Sequence, residues 1–196
     1  SLFVVLRGIG ALLRVLRVLG RGGVGVGTAE GCHDRIEDAV QSLAACLVEK
    51  ASRKGITFAF AESCTGGRLC AAVTSVPGAS VPFRGGLVAY SNEAKERFLG
   101  VPSEVFRAHG AVSAPCAEAM AAGARDRFGV SWAAAVTGIA GPDGGTPEKP
   151  VGTVWFALAG PGLVRTWKVL FSGDRVLIQT SAEEEALRKL LEAVET

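Results

Sequence analysis

The chain has 196 residues, of which 48% are hydrophobic and 20% charged, so it is long enough to bury one sizeable core and is expected to form a single globular domain. Its net charge is only +2. The first thirty residues contain four arginines and one glutamate, which leaves the rest of the chain with a net charge of −1. This balance argues against nucleic acid as the main ligand.

The five cysteines are scattered without a CxxC pair, and their odd number does not indicate a disulfide framework. A reducing, cytoplasmic location is therefore expected. The two histidines, His33 and His109, are not spaced with cysteines in the manner of a zinc site, so no metal site is predicted.

The N-terminal 31 residues differ from the rest of the chain. Residues 2–19 are apolar, but Arg7, Arg14 and Arg17 interrupt them, and each would cost about 2.5–3.5 kcal/mol at a bilayer centre, so a membrane span is not expected. The glycine-rich residues 20–27 are typical of a flexible linker. We predict an N-terminal extension and linker at residues 1–31, followed by the working domain at residues 32–196.

Regular patterns begin near Asp34, which is expected to cap the first helix of the domain. A buried strand then leads through a polar turn into a second helix, with Ser63 at or next to its N-terminus. Alternating strands and helices followed by a late hairpin predict a single three-layer α/β/α sandwich with a mixed sheet. The expected helices cover residues 34–54, 65–75, 92–99, 103–106, 113–128 and 175–194, and the expected strands cover 56–61, 83–91, 132–137, 151–159 and 164–171. Four local signals are expected within them: a cap at Ser103, a helix start at Ser113 with Pro115, a helix end at Gly129 and a strand irregularity at Gly85 and Gly86.

Polar residues follow three of these strands and point to a site at the carboxyl edge of the sheet. With no histidine near these loops, a Ser/His/Asp triad is not supported, whereas a serine activated by a buried lysine remains open, with Ser63 and Lys95 as the natural pair. The alternative is that Ser63 only caps a helix and Lys95 is a solvated charge. Cys64 competes as nucleophile, because a thiol near a helix N-terminus is acidified. The loop at 138–145 could cradle a phosphate through its backbone N–H groups.

Six motifs in order resemble the CinA C-terminal domain family, which includes stand-alone nicotinamide mononucleotide deamidases of the PncC type. The resemblance covers roughly residues 37–194, and it does not extend to the N-terminal domain of full-length CinA proteins. The motifs are AESCTGG at 61–67, YSNEAK at 90–95, GAVS at 110–113, TGIAGPDGG at 137–145, KPVGTVW at 149–155 and GDR at 173–175.

The resemblance implies an amidohydrolase that converts nicotinamide mononucleotide to nicotinate mononucleotide and ammonia, with no cofactor or metal, in pyridine nucleotide recycling. It makes Ser63 the nucleophile and Lys95 its base. A homo-oligomer, a small-molecule substrate and no nucleic-acid or membrane partner are expected. The alternatives are an inactive nucleotide- or protein-binding module and, less well supported, a phosphatase. The predicted catalytic residues are Ser63, Lys95 and Tyr90, and the predicted substrate-binding residues are Thr65, Gly66, Thr137, Gly138, Gly141 and Arg175.

Overall fold

The computed structural model describes residues 29–196, with side-chain surroundings from Asp34 onward. Residues 1–28, which hold most of the predicted extension and its linker, lie outside the described residues. None of the helices in the described range has the length and apolar character needed to cross a membrane. The helices are α1 (Ala29–Lys54), α2 (Arg68–Thr74), α3 (Asn92–Leu99), α4 (Ser103–His109), α5 (Ala114–Phe128) and α6 (Arg175–Glu195), and the strands are β1 (Phe58–Glu62), β2 (Phe83–Val88), β3 (Trp132–Gly138), β4 (Thr153–Gly160) and β5 (Leu163–Leu170).

The strands form one mixed sheet in the order β2-β1-β3-β4-β5. Strand β1 pairs in parallel with both β2 and β3, whereas β3, β4 and β5 pair antiparallel. The irregularity predicted at Gly85 and Gly86 appears as a shift in the β1–β2 register after Phe58. The predicted α/β fold with a mixed sheet is confirmed, and the order places the ends of three parallel strands side by side.

Each face of the sheet carries its own core, because side chains alternate between the two faces along a strand. On one face, bulky residues such as Phe58 and Phe60 pack against α1, α2 and α6. The other face is almost entirely alanine, including Ala59 and Ala61, and α5 packs on it through its own small residues, with α3 and α4 beside it. Small side chains on both surfaces let α5 lie close to the sheet.

Local capping signals account for several helix ends. Ser113 Oγ accepts from Cys116 N at 3.3 Å, and Gly129 ends the same helix with a positive φ of 60°, as the sequence predicts. Two predicted caps are wrong. Helix α1 begins at Ala29, so Asp34 lies within it. Ser103, the predicted cap of α4, is its first helical residue, and the N-cap is Pro102, which forms no side-chain hydrogen bond. The prediction for α4 misses the cap by one residue, which is the usual spread of helix ends, whereas the helical pattern of α1 continues upstream of Asp34 to Ala29.

Candidate active site

The carboxyl ends of the three parallel strands meet at one edge of the sheet. Ser63 directly follows β1, Tyr90 follows β2, and Thr137 lies in the last residues of β3. They surround a cavity of about 220 Å³. Of the nine predicted site residues, the structure brings six together in the cavity wall: Ser63, Tyr90, Lys95, Thr137, Gly138 and Arg175.

Three predicted binding residues do not line this cavity. Thr65 is buried with 1% of its surface exposed, and Gly66 lies in the turn after Ser63 with a φ of 62°. The carbonyl oxygen of Gly141 accepts a hydrogen bond from Arg175. The cavity wall also contains Cys64, the competing nucleophile candidate, and four residues that were not predicted for the site: Asn92, Ala111, Val112 and Ala140. Asn92 stands inside the YSNEAK motif, and its position next to Ser91 at the start of α3 was an available signal.

Ser63 does not lie at the N-terminus of the second helix, and the alternative that it only caps that helix is wrong. Helix α2 begins five residues later, at Arg68, after a tight turn, and its N-cap residue is Gly67. The carboxylate of Glu62 occupies the helix N-terminus instead, since it accepts hydrogen bonds from Gly67 N at 2.9 Å and Cys70 N at 2.9 Å, and from Leu69 N at 3.2 Å. A buried carboxylate is stabilised there by three donors and the positive end of the helix dipole. Ser63 therefore does not cap the helix and lies in the cavity wall.

Lys95 is almost completely buried, with 1% of its surface exposed. Its Nζ donates to the backbone oxygen of Tyr90 at 3.0 Å, and within residues 29–196 no hydrogen bond joins it to Ser63. Desolvation by burial lowers the pKa of Lys95, with the neighbouring thiols of Cys116 and Cys64 acting in the opposite direction. A lysine in such surroundings reaches the neutral form, which can accept a proton, more easily than an exposed lysine.

Cys64 is not suited to be the nucleophile. Its side chain is 4% exposed and belongs to the core on the aromatic face of the sheet. Burial raises the pKa of its thiol to about 12, with a smaller contribution in the same direction from Glu62. The thiol is therefore protonated at neutral pH, and the predicted acidification by the helix N-terminus fails because Glu62 occupies that terminus.

Arg175 bridges two loops at the mouth of the cavity. Its guanidinium donates to the carbonyl oxygen of Gly141 at 2.6 Å and to the hydroxyl of Tyr90 at 3.1 Å. Asp174 caps helix α6 directly before it by accepting from Leu177 N at 2.8 Å. The exposed guanidinium is thus held beside the opening, where a positive charge suits an anionic group.

Sequence reasoning missed Gln179, which contacts the site from α6. Its Nε2 donates to the backbone oxygen of Cys64 at 2.7 Å, across 115 positions of sequence. Gln179 follows Arg175 by four residues and therefore lies on the same face of the helix. That spacing was the only sequence signal that could have found it.

The fold and the cavity define a class of protein: a three-layer α/β protein with a buried serine and a buried lysine in one cavity at the carboxyl edge of its sheet. Comparison with known proteins identifies the family. The family model of the CinA C-terminal domain matches residues 40–194, and the chain belongs to that family. The resemblance seen in the six motifs is therefore confirmed.

Curated relatives and solved structures agree with this assignment. A CinA-like protein of Gemmatimonas aurantiaca is 52% identical over 151 residues, covering 77% of this chain and 35% of the relative, and one of Anaeromyxobacter sp. (strain Fw109-5) is 52% identical over 153 residues, covering 78% and 37%. This chain thus spans about a third of the length of these relatives. The competence/damage inducible protein CihA of Agrobacterium tumefaciens superposes with a TM-score of 0.78 at 37% identity, covering 81% of this chain and 96% of that one. A CinA superfamily protein of Escherichia coli superposes with a TM-score of 0.77 at 32% identity, covering 80% and 91%.

Proposed function

We propose that this domain is an amidohydrolase that converts nicotinamide mononucleotide to nicotinate mononucleotide and ammonia, and so serves pyridine nucleotide recycling. The observation that carries the proposal is Lys95, which is 1% exposed, has a lowered pKa and shares a small cavity with Ser63. A buried amine with a lowered pKa can act as the general base for a serine in the same cavity. Membership of the CinA C-terminal domain family supports the same function.

The two side chains divide the reaction between them. Ser63 Oγ attacks the carbonyl carbon of the carboxamide, while neutral Lys95 takes the hydroxyl proton. The tetrahedral intermediate then collapses, Lys95 returns a proton to the departing nitrogen, and ammonia leaves a nicotinoyl ester on Ser63. Water, deprotonated by the same amine, hydrolyses the ester and restores the serine. The hydrogen bond between Ser63 and Lys95 has to form when substrate binds, as is common for catalytic pairs in unliganded sites.

The size and charge of the site support a mononucleotide as substrate. The cavity of about 220 Å³ is smaller than the roughly 300–1,000 Å³ of typical ligand pockets. It therefore suits the carboxamide end of the substrate, with the ribose phosphate outside. Arg175 lies at the opening and supplies positive charge for the phosphate, while Tyr90 lies beside it to contact the pyridine ring. Thr137, whose hydroxyl donates to Ala111 O at 2.9 Å, holds the loop before α5 in the wall.

Ammonia release tests the proposal. Wild type, Ser63→Ala and Lys95→Met are incubated with nicotinamide mononucleotide in the presence of a chelator. Both variants are expected to lose at least about a thousandfold in kcat while still binding the substrate, as when one member of a catalytic pair is removed. Exposed residues supply matched controls, Ser42→Ala and Lys168→Met, which are expected to keep wild-type turnover.

Two outcomes would contradict the proposal. Normal turnover by Ser63→Ala would exclude the serine as nucleophile. A wild-type protein that binds the mononucleotide without releasing ammonia would favour the alternative binding module. The cytoplasmic location, the homo-oligomer and the absence of nucleic-acid and membrane partners stay predictions.

A further inference from the structure

One face of helix α6 carries three polar side chains, each of which contacts a different neighbouring segment. Arg175, Gln179 and Glu183 are spaced by four residues and so lie in one row. Arg175 holds the glycine-rich loop, and Glu183 lies 3.8 Å from the guanidinium of Arg68 at the start of α2. Between them, the amide of Gln179 reaches the turn that follows the serine and donates to Cys64 O at 2.7 Å. Gln179, in the middle of the row, therefore holds the backbone next to the proposed nucleophile.

Two hydrogen bonds fix the two peptide planes that follow Ser63. The Ser63 carbonyl accepts from Gly66 N at 3.1 Å, which is a bond within the turn, and the Cys64 carbonyl accepts from Gln179. A trans peptide is planar, and its N–H points opposite to its C=O. Fixing these two carbonyls therefore also fixes the directions of the next two N–H groups, those of Cys64 and Thr65.

The N–H group of the second plane, which belongs to Thr65, has no hydrogen-bond acceptor in the described part of the chain. Thr65 N makes no hydrogen bond there, and Thr65 Oγ1 is the one buried side-chain oxygen or nitrogen without a partner in that range. Thr65 is 1% exposed, so water does not freely satisfy these groups. An unsatisfied buried donor costs about 1–3 kcal/mol, and such a cost in a native protein calls for an explanation. This cost is explained if the donor is held ready for negative charge that develops during a reaction.

We propose that Gln179 is a positioning residue: by holding the Cys64 carbonyl, it keeps the turn after Ser63 in the shape that presents the backbone N–H groups of Cys64, in the cavity wall, and of the adjacent Thr65 to the oxyanion formed when Ser63 attacks a carbonyl group. This inference rests on the proposed function, since it needs Ser63 to act as a nucleophile. Gln179 does not touch the reacting atoms. Its effect is on the transition state, so it acts on kcat and leaves substrate affinity unchanged.

The experiment compares three substitutions at this position. Gln179→Met keeps the length of the side chain without a donor, and Gln179→Glu places a carboxylate oxygen against the Cys64 carbonyl. Both are expected to lower kcat about tenfold to a hundredfold, because a misaligned donor costs somewhat less than a deleted one, with KM unchanged. Gln179→Arg keeps a donor and is expected to stay within about threefold of wild type. Gln41→Met, at the chain's other glutamine, is exposed on α1 and serves as the matched control with normal kcat.

A second readout separates this inference from the proposed substrate. Ser63 Oγ attacks the phosphorus of a fluorophosphonate probe, Lys95 takes the hydroxyl proton, and fluoride leaves. The phosphoryl oxygen in the transition state needs the same donors. Slower labelling of Ser63 in Gln179→Met than in Gln41→Met supports the inference even where the wild type does not turn over the mononucleotide.

Three results would overturn the inference. Gln179→Met could match wild type in both kcat and labelling rate. Its KM could rise at constant kcat. Its activity could fall only in proportion to the folded fraction measured by urea denaturation. A wild type that neither turns over the mononucleotide nor labels at Ser63 would overturn both the inference and the proposed function.

Discussion

The buried carboxylate of Glu62 is expected to hold the site turn and α2 together, and Glu62→Gln tests this role. In the native protein, both carboxylate oxygens accept from backbone N–H groups, three in total. The amide of glutamine has one acceptor oxygen, so its NH2 group would face at least one of these donors. Charge-assisted bonds contribute about 1.5–3 kcal/mol each, compared with about 0.5–1.5 kcal/mol for neutral bonds, and an orphaned donor costs about 1–3 kcal/mol.

These contributions are partly offset, because a neutral amide is easier to desolvate than a carboxylate. The expected net loss in the free energy of unfolding is about 2–4 kcal/mol. For a domain of this size, such a loss lowers Tm by about 4–16 °C. Urea denaturation at neutral pH measures it as a lower midpoint with an unchanged m-value.

Glu118→Gln is the matched control, since Glu118 is exposed on α5. It is expected to change the free energy of unfolding by less than about 0.5 kcal/mol. If Glu62→Gln unfolds at the same urea concentration as Glu118→Gln, the three hydrogen bonds do not stabilise the turn, and the reasoning about the helix N-terminus is refuted.

Three further predictions follow from burial and packing. Since the proposed base is neutral Lys95 and its pKa is lowered by burial, kcat/KM is expected to rise with pH and level off below the ordinary lysine value of about 10.5; a rise that continues past that value would contradict the assignment. Burial raises the pKa of Glu183 to about 7, so the folded state holds this proton more tightly than the unfolded state does. The free energy of unfolding is therefore expected to fall as pH rises from about 4.5 to 7. Glu183→Gln removes the charge and should raise the urea midpoint at pH 8 and change it little at pH 4.5. A Cβ at Gly123 would lie 1.8 Å from Leu99 O, at the end of α3. Gly123→Ala is therefore expected to lower the free energy of unfolding by about 1–3 kcal/mol, despite the better helix propensity of alanine. A higher free energy of unfolding would show that α3 moves to make room for the methyl group.

The features of the fold that the sequence predicts correctly depend on neighbouring residues. Ser113 with Pro115 begins a helix and Gly129 ends it, because a cap needs only a polar oxygen and a glycine within one turn. The mixed sheet follows from the order of its strands, since parallel pairs need a helical crossover and the late hairpin does not. In the same way, the polar residues after β1, β2 and β3 converge because parallel strands end at the same edge.

The features that sequence reasoning misses depend on side chains that act at a distance. Ser63 has the residue type and the local setting of a helix cap, and only the folded structure shows that the longer Glu62 side chain reaches past the turn and takes that role. The position of Glu62 also bears on Cys64, the competing nucleophile candidate. With Glu62 at the helix N-terminus, Cys64 gains no acidifying partner there and is buried in the core.

Gln179 shows the same limit more strongly, because its partner lies 115 residues away in the chain. No local pattern distinguishes a glutamine that donates to a distant carbonyl from one that faces solvent. The spacing of four residues from Arg175 places both on one face of α6, but that face is assigned to the site only once the sheet has placed β1 beside β3 and the helix across them. The proposed chemistry of Ser63 therefore depends on one side chain inside the AESCTGG motif and one far outside any motif. Glu62 determines where the helix begins, and Gln179 holds the turn before it.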